Sequence, residues 1–218
     1  MLKFSTIAKL AATSLVTVLF GMSANAADRI SDFSLTDHEG RFFQLSRHAN
    51  QDAVVLLVYD AESRDARRAI SDLQDLEEKF AEQNVEFIAI NSSGSTDKIA
   101  MREEAADEDI TVRILMDDTQ LVAEELGLSR VAEVAILDPT SKEVVYRGAL
   151  NKSSAEGSRS ERNAGSYVEE ALNAILADQE VSANLVASKG DVITFAAKAA
   201  MTNTVSYAND VAPILEQR

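Results

Sequence analysis

Cysteine is absent from all 218 residues. The chain therefore has no thiolate and no disulfide of its own, and it cannot hold zinc, an iron–sulfur cluster or a thioether-linked haem through cysteine. Histidine is nearly absent: His38 and His48 are the only two. A serine nucleophile needs a positioned base, and these histidines, each near a turn, read as solvent-facing side chains rather than bases or metal ligands. Positive charge is also in deficit, with 21 Lys plus Arg against 36 Asp plus Glu and a formal net charge of −15. Such a surface repels nucleic-acid backbones and anionic lipid head groups, so no nucleic-acid partner is expected.

What is present is apolar material: 46% of the chain is hydrophobic and only 2 residues are Pro, enough for a packed core in one or two domains. Lys3 and Lys9 precede the apolar run Leu10 to Phe20, and the small-residue site Ala24-Asn25-Ala26 follows. That layout predicts a secretory signal peptide over residues 1–26, cleaved after Ala26, and a periplasmic or secreted protein with no membrane attachment thereafter. A retained anchor is the alternative, but the uncharged stretch Leu10 to Ala26 is 17 residues diluted by Ser, Thr, Gly and Asn, short of a comfortable span. Losing the two lysines takes the net charge from −15 to −17. Stability in that compartment must come from the core alone, without disulfides.

Residues 32–45 alternate apolar and polar around Asp37-His38-Glu39-Gly40, which predicts a hairpin. Ala53 to Tyr59 is a continuous apolar run of strand length, as expected for a strand covered on both faces. From Ser63 the period changes, with Ala66, Ile70, Leu73, Leu76 and Phe80 on one helical stripe. Val85 to Ile90 predicts a second buried strand, giving a parallel crossover. A polar helix (Thr96 to Ala106), a short strand (Val112 to Leu115) and a helix ended by Gly127 follow. Val134 to Leu137 and Glu143 to Arg147 make two strands joined by a turn at 138–141. Asn151 to Gly165 lacks a period and reads as a surface loop. Tyr167 to Leu176 is the last clear helix. Glu77-Glu78, Glu103-Glu104 and Glu124-Glu125 read as solvated helix faces.

This order of elements resembles the thioredoxin fold in its peroxiredoxin-like redoxin (AhpC/TSA-type) version: α/β, a central mixed sheet flanked by helices, with an N-terminal hairpin extension. The similar stretches are Asp32-Phe33-x-Leu35-x-Asp37-x-x-Gly40, the strand before Asp60, Phe87 to Asn91, Met116-Asp117-Asp118 and Glu133 to Asp138. They span about Ala27 to Gln179, so the domain is expected at 27–180. The resemblance implies antioxidant or thiol–disulfide oxidoreductase activity, run by cysteine at the start of the helix after the first buried strand and by a cis-proline loop facing it. Here Ser63 and Ala66 stand where the thiols would stand, Arg64 replaces the neighbouring proline, and Ala132 replaces the cis-proline. A cis bond at a non-proline residue would cost about 3 kcal/mol. The expectation is a degenerate site without catalytic residues, cofactor or metal, in a structural or interaction module with an unidentified protein partner; Ser63 reads as a helix cap.

Arg64, Arg67 and Arg68 sit in the first turns of that helix, and the resemblance implies that Arg130 lies on the facing loop. One reading is a face for an anion or acidic peptide, built from guanidinium groups and helix N-terminal amides. The other is ordinary surface pairing with Asp60, Glu62, Asp65 and Asp72.

Residues 181–218 form a tail. Its end, Tyr207-x-x-Asp210-Val211-Ala212-Pro213-Ile214-Leu215, is similar to the helix that leads into a c-type haem domain, which implies a haem domain beyond Arg218 or its loss; an amphipathic helix docked on the domain is the alternative.

Overall fold

The computed structural model describes residues 29–94, 96–158 and 165–195. The expected signal peptide and the haem-type end of the tail lie outside them. Among the described residues no helix is long and apolar enough to cross a membrane.

The apolar run becomes the central strand. β3 (Ala53–Val58) is buried at all six positions because it lies between β4 (Val85–Asn91), paired parallel, and β6 (Glu133–Asp138), paired antiparallel. The helix between β3 and β4, α1 (Arg64–Lys79), turns Ala66, Ala69, Ile70, Leu73 and Leu76 inward. Each large aliphatic side chain so buried contributes about 1.5–3 kcal/mol. α2 (Lys98–Asp107), capped by Asp97, buries only Met101 and Ala105, and it leads to β5 (Arg113–Met116), parallel to β4.

The predicted hairpin is β1 (Ser34–Asp37) and β2 (Phe42–Gln44), and it joins the sheet by pairing β1 antiparallel to β5. Asp37 organises its turn. The buried carboxylate accepts the N–H groups of Glu39 and Arg41 and the Arg41 Nε, with Arg113 Nε at 3.3 Å. α3 (Leu121–Glu125) precedes β6 and is stopped by Gly127 at φ +67. β7 (Glu143–Ala149) pairs antiparallel to β6, and α4 (Tyr167–Leu176), capped by Ser166, packs on β7. The eight-stranded mixed sheet has the order β2-β1-β5-β4-β3-β6-β7-β8, where β8 is Leu185–Val186, parallel to β7.

Several expectations change. His38 is buried, its Nδ1 accepting the Ile114 N–H at 3.3 Å, because the hairpin turn folds onto β5. His48 stacks on Phe43 with ring centroids 4.6 Å apart. Glu77 and Glu104 are half-buried rather than solvated: Glu77 borders the apolar stripe of α1, and Glu104 lies on the side of α2 that meets Tyr59. Asn151 to Gly165 is not only surface loop, since Ala155 is buried and bridges to Ser188. The described residues beyond 180 add to the sheet: β8 is followed by a segment, 188–195, that crosses the loop before β6.

Candidate functional site

The expected site positions lie on two segments distant in sequence. Ser63 precedes α1 with extended backbone (φ −92°, ψ 125°), and its hydroxyl accepts the Ala66 N–H at 3.3 Å, which makes it the N-cap. Its backbone N–H donates to Asp60 O. Opposite lies the loop between α3 and β6, held by the buried Glu133. One oxygen of that carboxylate accepts the N–H groups of Ser129 (2.7 Å) and Arg130 (3.0 Å).

Ala132, at the expected cis-proline position, is buried, donates its N–H to Val58 O at 2.9 Å and has φ +61. No peptide bond among the described residues is cis. The loop makes its sharp turn with a left-handed alanine instead, a conformation that costs an L residue about 1–2 kcal/mol. Ala66 is fully buried in the α1 stripe.

Between the segments lies a cavity of about 350 Å³ lined by Tyr59, Asp60, Glu62, Ser63, Ser93 and Val131, and closed by residues 191–194. Its floor is Tyr59, whose hydroxyl donates to Glu104 Oε1 at 3.0 Å. Burial, reinforced by the Glu104 carboxylate, pushes the Tyr59 phenol well above its ordinary range. It stays a neutral donor at any physiological pH. Arg67 approaches the same Glu104 oxygen at 3.5 Å and donates to Ala61 O at 2.5 Å.

Among the described residues no hydrogen bond links the Ser63 hydroxyl to a titratable side chain; it is engaged as the cap of α1. Neither histidine lines the cavity, and its titratable neighbours are the acids Asp60, Glu62 and Asp191 and the phenol of Tyr59. None of the four arginines lines it either. Arg67 is turned toward α2, Arg130 donates Nη1 to Gly190 O at 2.9 Å, and Arg64 and Arg68 are exposed. Arg68 lies by Asp65 and Asp72 at a separate small hollow bordered by Ala132 and Lys189. Burial pushes the Asp72 carboxyl up, and the Asn151 amide and Arg68 counter it.

Reading the sequence missed the contributions of Tyr59, Glu104 and Gln120 and of the segment 188–195. The β-branched run Val192 to Thr194 after Gly190 was a legible strand signal for the last. Gln120, buried at φ +60 before α3, donates Nε2 to Ser92 O (2.6 Å) and Thr194 O (2.9 Å), tying that segment to the end of β4.

The AhpC/TSA family matches residues 26–149, more than half of the 218-residue chain. The chain belongs to the AhpC/TSA family. Among solved structures this family member is similar to a hypothetical protein from Sinorhizobium meliloti (TM-score 0.67, 20% identity, 77% of this chain and 92% of that one). An uncharacterized conserved protein from Geobacillus kaustophilus is comparably similar (0.65, 21%, 77% and 90%). A peroxidoxin from Mycobacterium tuberculosis shares the fold at TM-score 0.54 and 22% identity over 69% of this chain and 96% of that one. At such identities the likeness is one of fold, and it bears out the α/β thioredoxin-like architecture. No curated protein matches the chain. AhpC/TSA chemistry needs a thiol, and at the two positions where the resemblance implies one, this member has the cap Ser63 and the core residue Ala66.

Proposed function

We propose that this AhpC/TSA-family chain is an exported, non-catalytic module that acts through protein contacts. The observation that carries the reading is the state of the site: Ser63 is engaged as a helix cap, Ala132 turns its loop in a left-handed conformation where the resemblance implies a cis-proline, and the chain's own residues 191–194 close the cavity between them. The leader-like residues 1–26 support export. The antioxidant or thiol–disulfide oxidoreductase activity implied by membership would require a cysteine thiol, which these 218 residues do not contain. The arginine-bearing face for an anion or acidic peptide has less support, because Arg67 and Arg130 are occupied by internal carbonyls.

The test is peroxide consumption and disulfide reduction by the purified protein, alongside a cysteine-bearing family member supplied with the same reductant. The expected rate equals that of buffer; turnover proportional to protein concentration would sink the reading. Fractionation of cells producing the full chain, with N-terminal sequencing, tests export. A start at Ala27 in the exported fraction is the expected result, and an intact leader in the cytoplasm would refute export.

A further inference from the structure

Residues 188–195 lie across the loop before β6 as a strap. Val131 donates its N–H to Asp191 O and Ile193 donates its N–H to Ser129 O, both at 2.8 Å, with Arg130 and Val192 forming the antiparallel bridge between them. Two side chains from the domain grip the strap's carbonyls: Arg130 Nη1 on Gly190 O and Gln120 Nε2 on Thr194 O, each at 2.9 Å.

The strap itself buries little. Ser188, Gly190 and Ile193 are buried, while Lys189, Asp191, Val192 and Thr194 are exposed. Attachment therefore runs mainly through the backbone, which any extended segment can supply. Selectivity comes from two positions. A Cβ at Gly190 would fall 1.8 Å from Val131 O, so that register admits only glycine, and three residues on an aliphatic side chain is buried. The strap leaves β8 at Val186, so its release is a pivot about that point and also breaks the bond from Lys189 N–H to Ser154 O.

We propose that the 129–131 edge is a docking edge for an extended polypeptide, and that residues 188–195 are its built-in occupant. Release of the strap uncovers the cavity above Ser63 and offers the edge to a partner segment of the form Gly-x-x-aliphatic in the strap's register. This deepens the interaction-module reading and rests on it, by naming the partner's chemistry and the contact that holds it off. A docking site already filled by its own chain binds a competitor with an affinity reduced by the fraction of molecules that are open.

The experiment uses the full chain and a labelled peptide of residues Ala187 to Phe195, followed by fluorescence anisotropy. Gly190→Val in the protein puts a side chain against the Val131 carbonyl and expels the strap. The variant is expected to bind the peptide at least about tenfold more tightly than the native chain, in proportion to its larger open population. A peptide carrying the same Gly→Val change should bind neither. Amide exchange at Val131 should quicken in the variant and slow again when peptide is added. Equal peptide affinity for native and variant, or no binding by a folded variant, overturns the proposal. If Gly190→Val loses its far-ultraviolet dichroism, Ile193→Ala, which removes the strap's buried side chain and leaves the docking edge intact, must raise peptide affinity over native; no change is equally fatal. Peroxide turnover would refute the non-catalytic reading and leave these outcomes unaffected, whereas failed peptide binding would remove the strap mechanism alone.

Discussion

At Ala132 one residue shows how far this loop departs from the proline geometry that the resemblance implies. A left-handed alanine and a proline cannot share a backbone: proline fixes φ near −65° and has no N–H to give, whereas Ala132 holds φ +61 and donates to Val58 O. Placing the proline that the resemblance implies should therefore harm this protein. Ala132→Pro is expected to cost about 3 kcal/mol or more, read as a lower urea midpoint with unchanged m. A neutral result would mean that the loop can revert to the geometry the resemblance implies. Ser63 was legible as a cap from its place before an amphipathic stripe. The handedness at Ala132 was not, because alanine carries no signal for positive φ and the turn is imposed by the Glu133 carboxylate gathering the Ser129 and Arg130 amides.

At the scale of elements, the periodicities were legible wherever burial follows a regular pattern. The run at β3, the stripe of α1 and the hairpin all formed where expected, since each depends on side chains meeting the core at a fixed spacing. The strap's β-branched run was there to be read, but β8, two residues held by backbone pairing, leaves little mark on side-chain pattern. Glycine was the available signal. Gly148 sits at φ +139, and a Cβ there would fall 1.8 Å from Val186 O, so Gly148→Ala should separate β8 from β7 while leaving β6–β7 paired. Amide exchange measures this: faster exchange at Arg147, whose N–H donates to Asn184 O, with β3 and β4 amides unchanged. Uniform protection in the variant would show that β8 tolerates the added carbon.

For the whole molecule, the excess of carboxylates does not translate into a single response to acid. Burial raises Asp37, but the Arg41 side chain and the Arg41 and Glu39 amides outweigh it and hold the carboxyl below the usual range. Its stabilising contribution is complete above the unfolded value, about 4, and is lost as pH falls through the lower folded value. Burial raises Glu77 and Asp117, so their contributions have the opposite sign: present below the unfolded value and lost as pH rises through the folded one. Asp37→Asn should therefore be clearly less stable than native at about pH 7, with the gap narrowing toward about pH 2 as native Asp37 is protonated. Urea midpoints at the two pH values measure it. A constant gap would assign the role of Asp37 to packing of the turn rather than to its charge.

The strap has a mechanical consequence as well. Its ties to Thr194, Ile193, Asp191 and Gly190 follow one another along the chain, so a pull on the far end loads them one at a time, as a zipper opens, and each gives way before the next is strained. Tension arriving through whatever follows residue 195 would peel the cavity open at low force, while β3, locked between neighbours on both sides, would feel almost none of it.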